Sequence, residues 1–361
     1  MQHKPIMIMA GGTGGHVYPA LAVAEYLKEK GVPLLWLGTV NGLEARIVPG
    51  KGYQLLTINI SGLRGKGLFK WIIAPSIVFI ALIQTIKILV SRKPAAVLGM
   101  GGFVSGPGGI AAWLMRIPLC IHEQNAVVGM TNRLLAPMAH TVMAAFPNTF
   151  DKSSDVRVTG NPVRKEILNA RIIKHQYKSE PDQKMRLLIL GGSQGAQALN
   201  EIIPETLSIL DGDVELEVRH QTGEKLFAET EMHYKSFNMK AVLEPFIEEM
   251  DKAYAWADIV ICRAGALTIT ELATVGVASI LIPYPFAVDD HQTANARYLS
   301  EHGGAILCPQ SDLSKERLAE LISGLYRSRE RLNEMADAAR KQAKPQATRQ
   351  VSELCMEAAY A

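Results

Sequence analysis

The feature that most constrains the fold of this chain is a repeated order of an apolar run, a glycine-rich turn and a helix-forming stretch. The first copy leads through GGTGGH at residues 11–16, and the second through GGSQGA at residues 191–196. Glycines let the backbone approach a ligand closely, and the N-terminus of the following helix attracts phosphate. The repeat therefore predicts two similar lobes that face one cleft.

Composition narrows the class of protein. A length of 361 residues with 48% hydrophobic residues favours two globular domains with their own cores. A net charge of +3 without long runs of like charge argues against nucleic-acid binding. The four cysteines lack CxxC spacing, which indicates reduced thiols in a cytosolic protein. The N-terminus lacks the apolar centre of a signal peptide, so secretion is not expected.

Residues 71–90 are apolar almost throughout and approach the ~20 residues that cross a bilayer. Pro75 interrupts the start of the predicted helix, and Ser76, Gln84 and Lys87 recur on one of its sides. Basic residues flank the stretch: Arg64, Lys66, Lys70, Arg92 and Lys93. Two interpretations stay open, namely a helix lying in an anionic membrane surface and a helix buried against a sheet.

The first half alternates predicted strands and helices, including a helix at 17–30, and the second half repeats the alternation. Such a pattern predicts parallel sheets with helices on both faces and ligands at the carboxyl ends of the strands. We predict domains at 1–163 and 164–340, with a helix at 341–361 that packs back on the first domain. Predicted strands include residues 6–10, 34–37, 95–98, 186–190, 214–219, 240–243, 258–261 and 279–282.

Neither glycine turn matches G-x-G-x-x-G in register or contains the G-K-[ST] of a P-loop. This argues against dinucleotide oxidoreductases and P-loop kinases. A third glycine turn, GMGGFVSGPGG, lies at residues 99–109. Three such turns at strand ends favour phosphate binding more strongly than one alone. Thr13 and Ser193 hold equivalent places in the repeat, where each hydroxyl can cap a helix or donate to a phosphate oxygen.

The second half contains a sharper combination. CRAGALTITEL at residues 262–272 follows an apolar strand, turns at Gly265 and begins a helix near Ala266, whose free amides suit a diphosphate. Glu271 is placed to accept hydrogen bonds from both ribose hydroxyls, although a solvated or capping glutamate is the open alternative. A polar group that suits a sugar follows downstream: Asp289, Asp290, His291, Gln292 and Asn295.

Seven motifs, in this order across nearly the whole chain, resemble the MurG family of glycosyltransferases: GGTGGHVYPALA, GMGGFVSGPGG, HEQN, GNPVR, GGSQGA, CRAGALTITE and DDHQTANA. The resemblance implies an α/β GT-B architecture of two Rossmann-like domains. It implies UDP-N-acetylglucosamine as the donor, held mainly by the C-terminal domain. It also implies undecaprenyl-diphospho-muramoyl-pentapeptide as the acceptor, at the cytoplasmic face of the inner membrane, with peripheral attachment and no cofactor.

Site residues follow from the same resemblance, with Glu271 at the ribose, the backbone of Ile247 at the uracil, Arg164 near the nucleotide, and Gln292 and Asn125 at the sugar. The implied donor contacts are Thr13, Gly14, Gly15, Asn125, Arg164, Ser193, Ile247, Ala266, Leu267, Thr268, Ile269, Thr270, Glu271 and Gln292. The implied acceptor contacts are Gly101, Gly102, Ser105, Gly106, His122 and Glu123.

The implied reaction inverts the anomeric carbon as the 4-hydroxyl of the acceptor displaces UDP. Helix N-termini and turn amides then stabilise the leaving diphosphate without a metal. The pair Asp211 and Asp213 is predicted to lie in a surface turn, away from the site. His16 is the candidate general base, with a phosphate-orienting or capping role as the alternative. His122 and Glu123 are held in reserve for the base.

Three rival functions stay open at this point. A UDP-N-acetylglucosamine 2-epimerase shares the lobes and the donor motifs, but it has little need for an apolar segment flanked by basic residues. A membrane-docked protein that only binds nucleotide sugar is the non-enzymatic alternative. A two-domain oxidoreductase is the third and the least favoured.

Overall fold

The computed structural model describes residues 4–61, 67–151, 155–174, 184–192, 195–210, 212 and 214–361, with the backbone alone for 67–73. The chain divides into two compact units. Unit 1 comprises Met1–Arg164 and Lys344–Ala361, and unit 2 comprises Lys165–Ala343. The ends predicted from the sequence for the first two domains were 163 and 340.

Unit 1 has, in its described part, a seven-stranded sheet in the order β3-β2-β1-β4-β5-β6-β7, with every neighbouring pair parallel. Its elements are β1 Ile6–Met9, α1 Gly14–Glu29, β2 Leu34–Gly38, α2 Leu43–Ile47, β3 Leu55–Thr57, α3 Gly67–Arg92, β4 Ala96–Gly99, α4 Ser105–Leu114, β5 Leu119–Glu123, α5 Met130–Leu135, β6 Thr141–Ala144, β7 Val156–Val158 and α14 Ala347–Tyr360. Short 3-10 helices span Pro49–Lys51 and Ala136–Met138.

Both faces of the sheet in unit 1 are covered. Along β1, Ile6 and Ile8 belong to the core on one face, whereas Met7 and Met9 belong to the core on the other. Successive side chains of a strand point to opposite faces, so a strand buried on both sides is apolar without interruption. This explains why the sequence before the first glycine turn is a continuous apolar run.

The last helix of the chain, α14, belongs to unit 1 and packs against α1 and the strands β4, β5 and β6. Val351 and Cys355 are fully buried in the same core cluster as Cys120. The Thr348 hydroxyl accepts a hydrogen bond from Val163 N at 3.2 Å and donates to Val163 O at 3.1 Å. The final residues of the chain therefore complete the core of the first unit.

Unit 2 has, within the described residues, a six-stranded parallel sheet in the order β10-β9-β8-β11-β12-β13. Its elements are α6 Lys165–Lys174, β8 Met185–Leu190, α7 Gln197–Ser208, β9 Leu216–Gln221, α8 Phe227–Ser236, β10 Val242–Glu244, α9 Met250–Trp256, β11 Ile259–Cys262, α10 Ala266–Val275, β12 Ala278–Leu281, α11 His291–Ser300, β13 Ala305–Leu307, α12 Lys315–Arg327 and α13 Arg329–Lys341. Short 3-10 helices span Val288–Asp290 and Gln310–Asp312.

The predicted α/β class with parallel sheets is confirmed for each unit. The first and third glycine turns follow β1 and β4, which are neighbours in the sheet of unit 1. The second glycine turn and the turn at Gly265 follow β8 and β11, which are neighbours in the sheet of unit 2. In each unit, two glycine-containing turns thus lie side by side at the carboxyl edge of a parallel sheet, where such folds bind ligands.

Candidate active site

The first glycine turn rests on the buried carboxylate of Glu44. Glu44 Oε2 accepts a hydrogen bond from Gly12 N at 3.0 Å, and Oε1 accepts from Thr39 N at 2.8 Å and from the Thr39 hydroxyl at 2.7 Å. A Cβ atom added at Gly42 would lie 2.1 Å from Oε2. The side chain is completely buried, so its contacts fix the turn to the loop after β2. Sequence reasoning did not identify Glu44, because nothing in its neighbourhood distinguishes it from a solvated helix glutamate.

Thr13 is the N-cap residue of α1, with an extended backbone at φ −107° and ψ 161°. Its carbonyl accepts hydrogen bonds from His16 N at 3.1 Å and Val17 N at 3.2 Å, but its hydroxyl makes no capping hydrogen bond. The amides of Gly14 and Gly15 begin the helix, where backbone donors have no partner within the helix. The turn therefore presents a hydroxyl and the positive end of a helix at one place.

His16 is joined to two buried side chains of β5 and the loop that follows. His16 Nδ1 lies 2.9 Å from Gln124 Oε1, and Gln124 Nε2 lies 3.1 Å from His122 Nδ1. His122 Nε2 in turn lies 2.9 Å from Gly160 O. His16 itself is partly exposed, whereas Gln124 and His122 are buried. The candidate base is therefore the outer end of a hydrogen-bonded chain that begins in the core.

The third glycine turn packs directly on the first. A Cβ atom added at Gly102 would lie 2.2 Å from Gly11 O, and one at Gly101 would lie 2.6 Å from His16 Nδ1. Both glycines also have positive φ angles, of +81° and +93°. The close approach and the left-handed backbone each require glycine at these two positions. The predicted sites at Gly101 and Gly102 therefore lie beside His16.

Three of the predicted acceptor contacts, Ser105, His122 and Glu123, have side chains whose polar atoms form hydrogen bonds inside unit 1. The Ser105 hydroxyl is fully buried and lies 2.9 Å from Gly101 O and 3.2 Å from Met9 O. His122 is fully buried with both ring nitrogens in contact, and burial lowers its pKa from 6.5 to about 4. The Ser105 and His122 side chains thus stabilise the turns, and their acceptor role stays a prediction. Gly106, within the first turn of α4, is partly exposed.

Glu123 is the third of these residues. Its Oε1 accepts hydrogen bonds from Asn125 N at 3.0 Å and Asn125 Nδ2 at 3.3 Å. Its Oε2 accepts from Gly129 N at 3.1 Å and Asn132 Nδ2 at 2.9 Å. Both oxygens of this buried carboxylate therefore accept hydrogen bonds from the protein, and its reserve role as base stays a prediction. It instead shapes the loop that carries Asn125.

In unit 2, α10 begins at Ala266 as predicted. Gly265 is its N-cap residue, and no side chain among the described residues caps the helix, so the amides of its first turn have no partner within the helix or from a capping side chain. Among the predicted contacts, Ile269 is fully buried, and the Thr270 hydroxyl donates to Ala266 O at 2.9 Å. The side chains of Ile269 and Thr270 therefore stabilise the helix, and the donor contacts predicted for them stay predictions.

Glu271 lies deeper along the same helix. It is nearly buried, and its Oε2 accepts a hydrogen bond from the Tyr254 hydroxyl at 3.0 Å. Tyr254 is buried on α9, so the contact joins two helices of unit 2. This contact fixes the direction of the Glu271 carboxylate, whereas the carboxylate of a solvated glutamate has no fixed direction.

Gln292 connects the loops that follow β11 and β12. Its Oε1 accepts hydrogen bonds from Ala264 N at 3.2 Å and Tyr284 N at 2.9 Å. Asn295, one turn further along α11, donates from Nδ2 to Ala264 O at 3.2 Å. Because the oxygen of Gln292 faces the backbone, its amide nitrogen is the atom that can donate to a ligand.

Arg263, which sequence reasoning did not identify, holds the same loops. Its guanidinium donates to Ile282 O at 3.1 Å, to Pro283 O at 3.2 Å and to Gln310 Oε1 at 2.6 Å. Burial lowers the pKa of Arg263 from its ordinary value. The Arg263 guanidinium thus connects the loops that follow the neighbouring strands β11, β12 and β13.

The remaining predicted residues are dispersed. Ser193 lies outside the described residues, as do Asp211 and Asp213. Ile247 is buried in the loop after β10 of unit 2. Asn125 and Arg164 belong to unit 1, where the Arg164 guanidinium lies 5.2 Å from the Tyr18 ring centre. Within the described part of the chain, no group of three or more His, Cys, Asp or Glu residues is arranged to hold a metal ion.

Two family models match the chain: the glycosyltransferase family 28 N-terminal domain over residues 6–144 and the family 28 C-terminal domain over residues 186–351. A relative from Methylococcus capsulatus is 50% identical over 358 residues, which are 99% of each chain. Its name is UDP-N-acetylglucosamine--N-acetylmuramyl-(pentapeptide) pyrophosphoryl-undecaprenol N-acetylglucosamine transferase. A relative from Nitrosococcus oceani with the same name is 49% identical over 98% of each chain.

Among solved structures, the crystal structure of Acinetobacter baumannii MurG matches with a TM-score of 0.84 and 43% identity over 98% of this chain and 99% of that one. The UDP-GlcNAc 2-epimerase from Neisseria meningitidis matches with a TM-score of 0.68 over 98% of this chain and 100% of that one. Its 13% identity limits that likeness to the fold. The resemblance inferred from the seven motifs is confirmed, and this chain belongs to the MurG family within glycosyltransferase family 28.

Proposed function

We propose that this protein is an inverting transferase that moves N-acetylglucosamine from UDP-N-acetylglucosamine to the muramoyl 4-hydroxyl of undecaprenyl-diphospho-muramoyl-pentapeptide. The observation that carries the proposal is the full-length match, at 50% and 49% identity, to two relatives named for this transfer. The helix N-termini of both units add physical support, since the donor and the acceptor each contain a diphosphate.

On the donor side, we propose that unit 2 binds the nucleotide. The uncapped N-terminal turn of α10, at Ala266, Leu267 and Thr268, supplies amides and a positive helix end for the diphosphate. These groups are fixed before the reaction, so they stabilise the charge that develops on UDP as it leaves. The oriented carboxylate of Glu271 accepts hydrogen bonds from the ribose, the backbone of Ile247 meets the uracil, and the amide nitrogen of Gln292 donates to the sugar.

On the acceptor side, we propose that unit 1 binds the lipid diphosphate at the turn that contains Gly101 and Gly102, while Thr13, Gly14 and Gly15 retain the donor contacts that the family resemblance implies. His16 accepts the proton of the muramoyl 4-hydroxyl as that oxygen bonds to the anomeric carbon. The bond between the anomeric carbon and the phosphate oxygen breaks at the same time, and UDP leaves with its electron pair. Asn125, Arg164 and Ser193 retain the donor contacts that the family resemblance implies.

The experiment that tests this function measures UDP release in detergent, with UDP-N-acetylglucosamine alone and then with a short-chain lipid-linked muramoyl-pentapeptide added. We expect UDP release only when the acceptor is present. Conversion of the donor to its 2-epimer without an acceptor would identify an epimerase. Donor binding without UDP release in the presence of acceptor would identify a non-catalytic binder.

Replacing Glu271 with alanine is expected to raise the KM for UDP-N-acetylglucosamine by about 10- to 100-fold, since hydrogen bonds to a charged group contribute about 1.5–3 kcal/mol. The matched control is Tyr254→Phe, which removes the hydroxyl that donates to Glu271 and keeps the carboxylate. Initial rates at varied donor concentration give the KM of each variant. Equal increases for the two variants would mean that Glu271 acts only through its contact with α9.

We also propose that the protein attaches peripherally to the cytoplasmic face of the inner membrane through α3. Among the described residues, Ala74–Arg92 is long and apolar enough to cross a bilayer by length and composition, and 22% of this window is buried. One side of α3, including Ala81 and Leu89, belongs to the core of unit 1. A helix packed on its own sheet in this way has one side left for lipid, which suits an interfacial position better than a span.

The other side of α3 is apolar and exposed at Phe79, Ile80, Ile83 and Val90, which recur at helical spacing on one face. Trp113 and Leu114, at the end of the neighbouring helix α4, extend the exposed surface. Lys87, Arg92, Lys93 and Arg116 are exposed nearby in the chain and can attract anionic lipid. Arg64 and Lys66 lie outside the described residues, and the side chain of Lys70 is not described.

The double variant Ile80→Ser with Ile83→Ser is expected to lower the partition of the protein onto vesicles of phosphatidylcholine and phosphatidylglycerol by at least about tenfold. Removing two inserted apolar side chains forfeits about 1.5–3 kcal/mol for each. The control is Ile172→Ser with Ile209→Ser, which replaces two exposed isoleucines of unit 2. Co-sedimentation of both proteins with the vesicles measures the effect, and equal loss for the two variants would argue against α3 as the attachment site.

A further inference from the structure

We infer that Gln124 is a positioning residue that fixes the proton of His16 on Nδ1 and leaves Nε2 as the basic nitrogen. The inference rests on the proposed function, in which His16 is the general base. It goes further because it assigns the tautomer of the imidazole and names the side chains that set it.

The orientation of the Gln124 amide is determined by its buried end. One amide atom of Gln124 lies 3.1 Å from His122 O and 3.1 Å from His122 Nδ1. A carbonyl oxygen only accepts hydrogen bonds, so the atom that faces it must be the amide nitrogen. The amide oxygen of Gln124 is therefore the atom that faces His16.

The amide oxygen then determines the state of His16. An amide oxygen only accepts, so the His16 Nδ1 atom at 2.9 Å must carry a proton and donate it. In a neutral imidazole with a proton on Nδ1, the lone pair lies on Nε2. Among the described residues, Nε2 of His16 has no hydrogen-bond partner. The ring therefore presents its basic nitrogen away from Gln124.

His122 secures the inner end of this chain. Its Nδ1 accepts from Gln124 Nε2, so its own proton lies on Nε2 and is donated to Gly160 O at 2.9 Å. Burial lowers the pKa of His122 to about 4, although the nearby Glu123 carboxylate and the Gly160 carbonyl act in the opposite direction. His122 is thus neutral near pH 7 and keeps an acceptor toward Gln124.

The third glycine turn encloses the contact between His16 and Gln124. A Cβ atom at Gly101 would lie 2.6 Å from His16 Nδ1 and 3.4 Å from Gln124 Oε1. The Asn161 side chain adds a hydrogen bond from Nδ2 to Gln124 O at 3.0 Å, which holds the backbone of the same residue. These contacts restrict the orientation of the ring, and a fixed orientation is what a general base requires.

The test combines histidine ¹⁵N NMR, which distinguishes the two tautomers, with steady-state kinetics. In the wild-type protein we expect His16 to be protonated on Nδ1 and unprotonated on Nε2 near pH 8, with the His16→Ala variant used to assign its signals. Gln124→Met keeps the length of the side chain but removes its donors and acceptor. We expect this variant to lose the single tautomer and to lower kcat by about 100-fold, with the KM for UDP-N-acetylglucosamine changed less than about threefold.

Two further variants separate positioning from general damage to the fold. Gln124→Glu keeps an acceptor for His16 Nδ1, so it should retain the His16 tautomer and keep kcat within about tenfold of the wild type. His122 should then be protonated on both ring nitrogens, because its Nε2 still donates to Gly160 O while its Nδ1 faces a carboxylate oxygen. The control is Gln350→Met, which makes the same change from glutamine to methionine at an exposed position of α14. It should leave kcat unchanged.

Three results would overturn the inference. The first is a wild-type His16 that is protonated on Nε2, and the second is a Gln124→Met variant that keeps kcat within about threefold. The third is a Gln124→Glu variant as inactive as Gln124→Met, because that outcome would mean that any change at this position damages unit 1. Wild-type protein without acceptor-dependent UDP release would overturn the proposed function instead, and the role of His16 as base with it.

Discussion

Replacing His16 with alanine is expected to lower kcat for acceptor-dependent UDP release by about 10²- to 10⁴-fold, the usual range for loss of a general base. The physical reason is that the muramoyl hydroxyl is a poor nucleophile until its proton is removed. His16 is on α1 of unit 1, whereas the proposed diphosphate and ribose contacts are on α10 of unit 2. The KM for UDP-N-acetylglucosamine should therefore change little.

The control for this prediction is His140→Ala, which removes an exposed histidine from the same unit. It should retain the wild-type kcat. A loss of less than about threefold in His16→Ala would assign the base to another group. A large rise in donor KM with unchanged kcat would instead support the alternative in which His16 orients phosphates.

Acidification from pH 6.5 to pH 4 is expected to lower the unfolding free energy of each unit by about 3 kcal/mol through one buried histidine. Burial lowers the pKa of His122 in unit 1 to about 4 and that of His220 in unit 2 to about 3, from a value of 6.5. The unfolded chain therefore binds a proton first as the pH falls. This contribution to stability is intact above pH 6.5 and is lost as the pH falls toward the folded-state pKa values.

Variants of the two histidines provide controls for each other. His220 contacts the Tyr234 hydroxyl at 3.0 Å and Asn200 Oδ1 at 3.1 Å, so His220→Gln replaces it with a polar side chain that does not titrate. His122→Gln does the same in unit 1. Urea unfolding is monitored by amide hydrogen exchange, in β5 for unit 1 and in β9 for unit 2, so that the stability of each unit is measured separately. Each variant should lose the acid dependence of its own unit only; the same pH slope in wild type and variant would contradict the prediction.

Much of the fold was predictable because local sequence determines it. Strands that are buried on both faces are continuous apolar runs, and the glycine turns mark their carboxyl ends, so β1, β8 and β11 were predicted within one residue at each end. Helix α1 begins at Gly14 rather than at residue 17, because the glycines of the turn form its first residues. The strands β3, β6, β7 and β13 were not predicted, since strands of three or four residues give little periodic signal; β3, β7 and β13 also lie at sheet edges.

The site was only partly predictable because its supporting contacts join distant parts of the chain. The contact between Glu44 and Gly12 joins residues 32 apart, and that between His16 and Gln124 joins residues 108 apart. Single-sequence patterns carry no information on such pairs. The same limit applies to Ser105 and His122, since the sequence cannot show that their side chains bind the turns of unit 1.

The most direct test of the central claim is analysis of the lipid product after incubation with UDP-N-acetylglucosamine and a lipid-linked muramoyl-pentapeptide. Mass spectrometry and NMR should find an acceptor that has gained one N-acetylhexosamine at the muramoyl O4, with an anomeric configuration opposite to that of the donor and one UDP released for each product. UDP release without a glycosylated lipid, or a product that retains the configuration of the donor, would contradict the account.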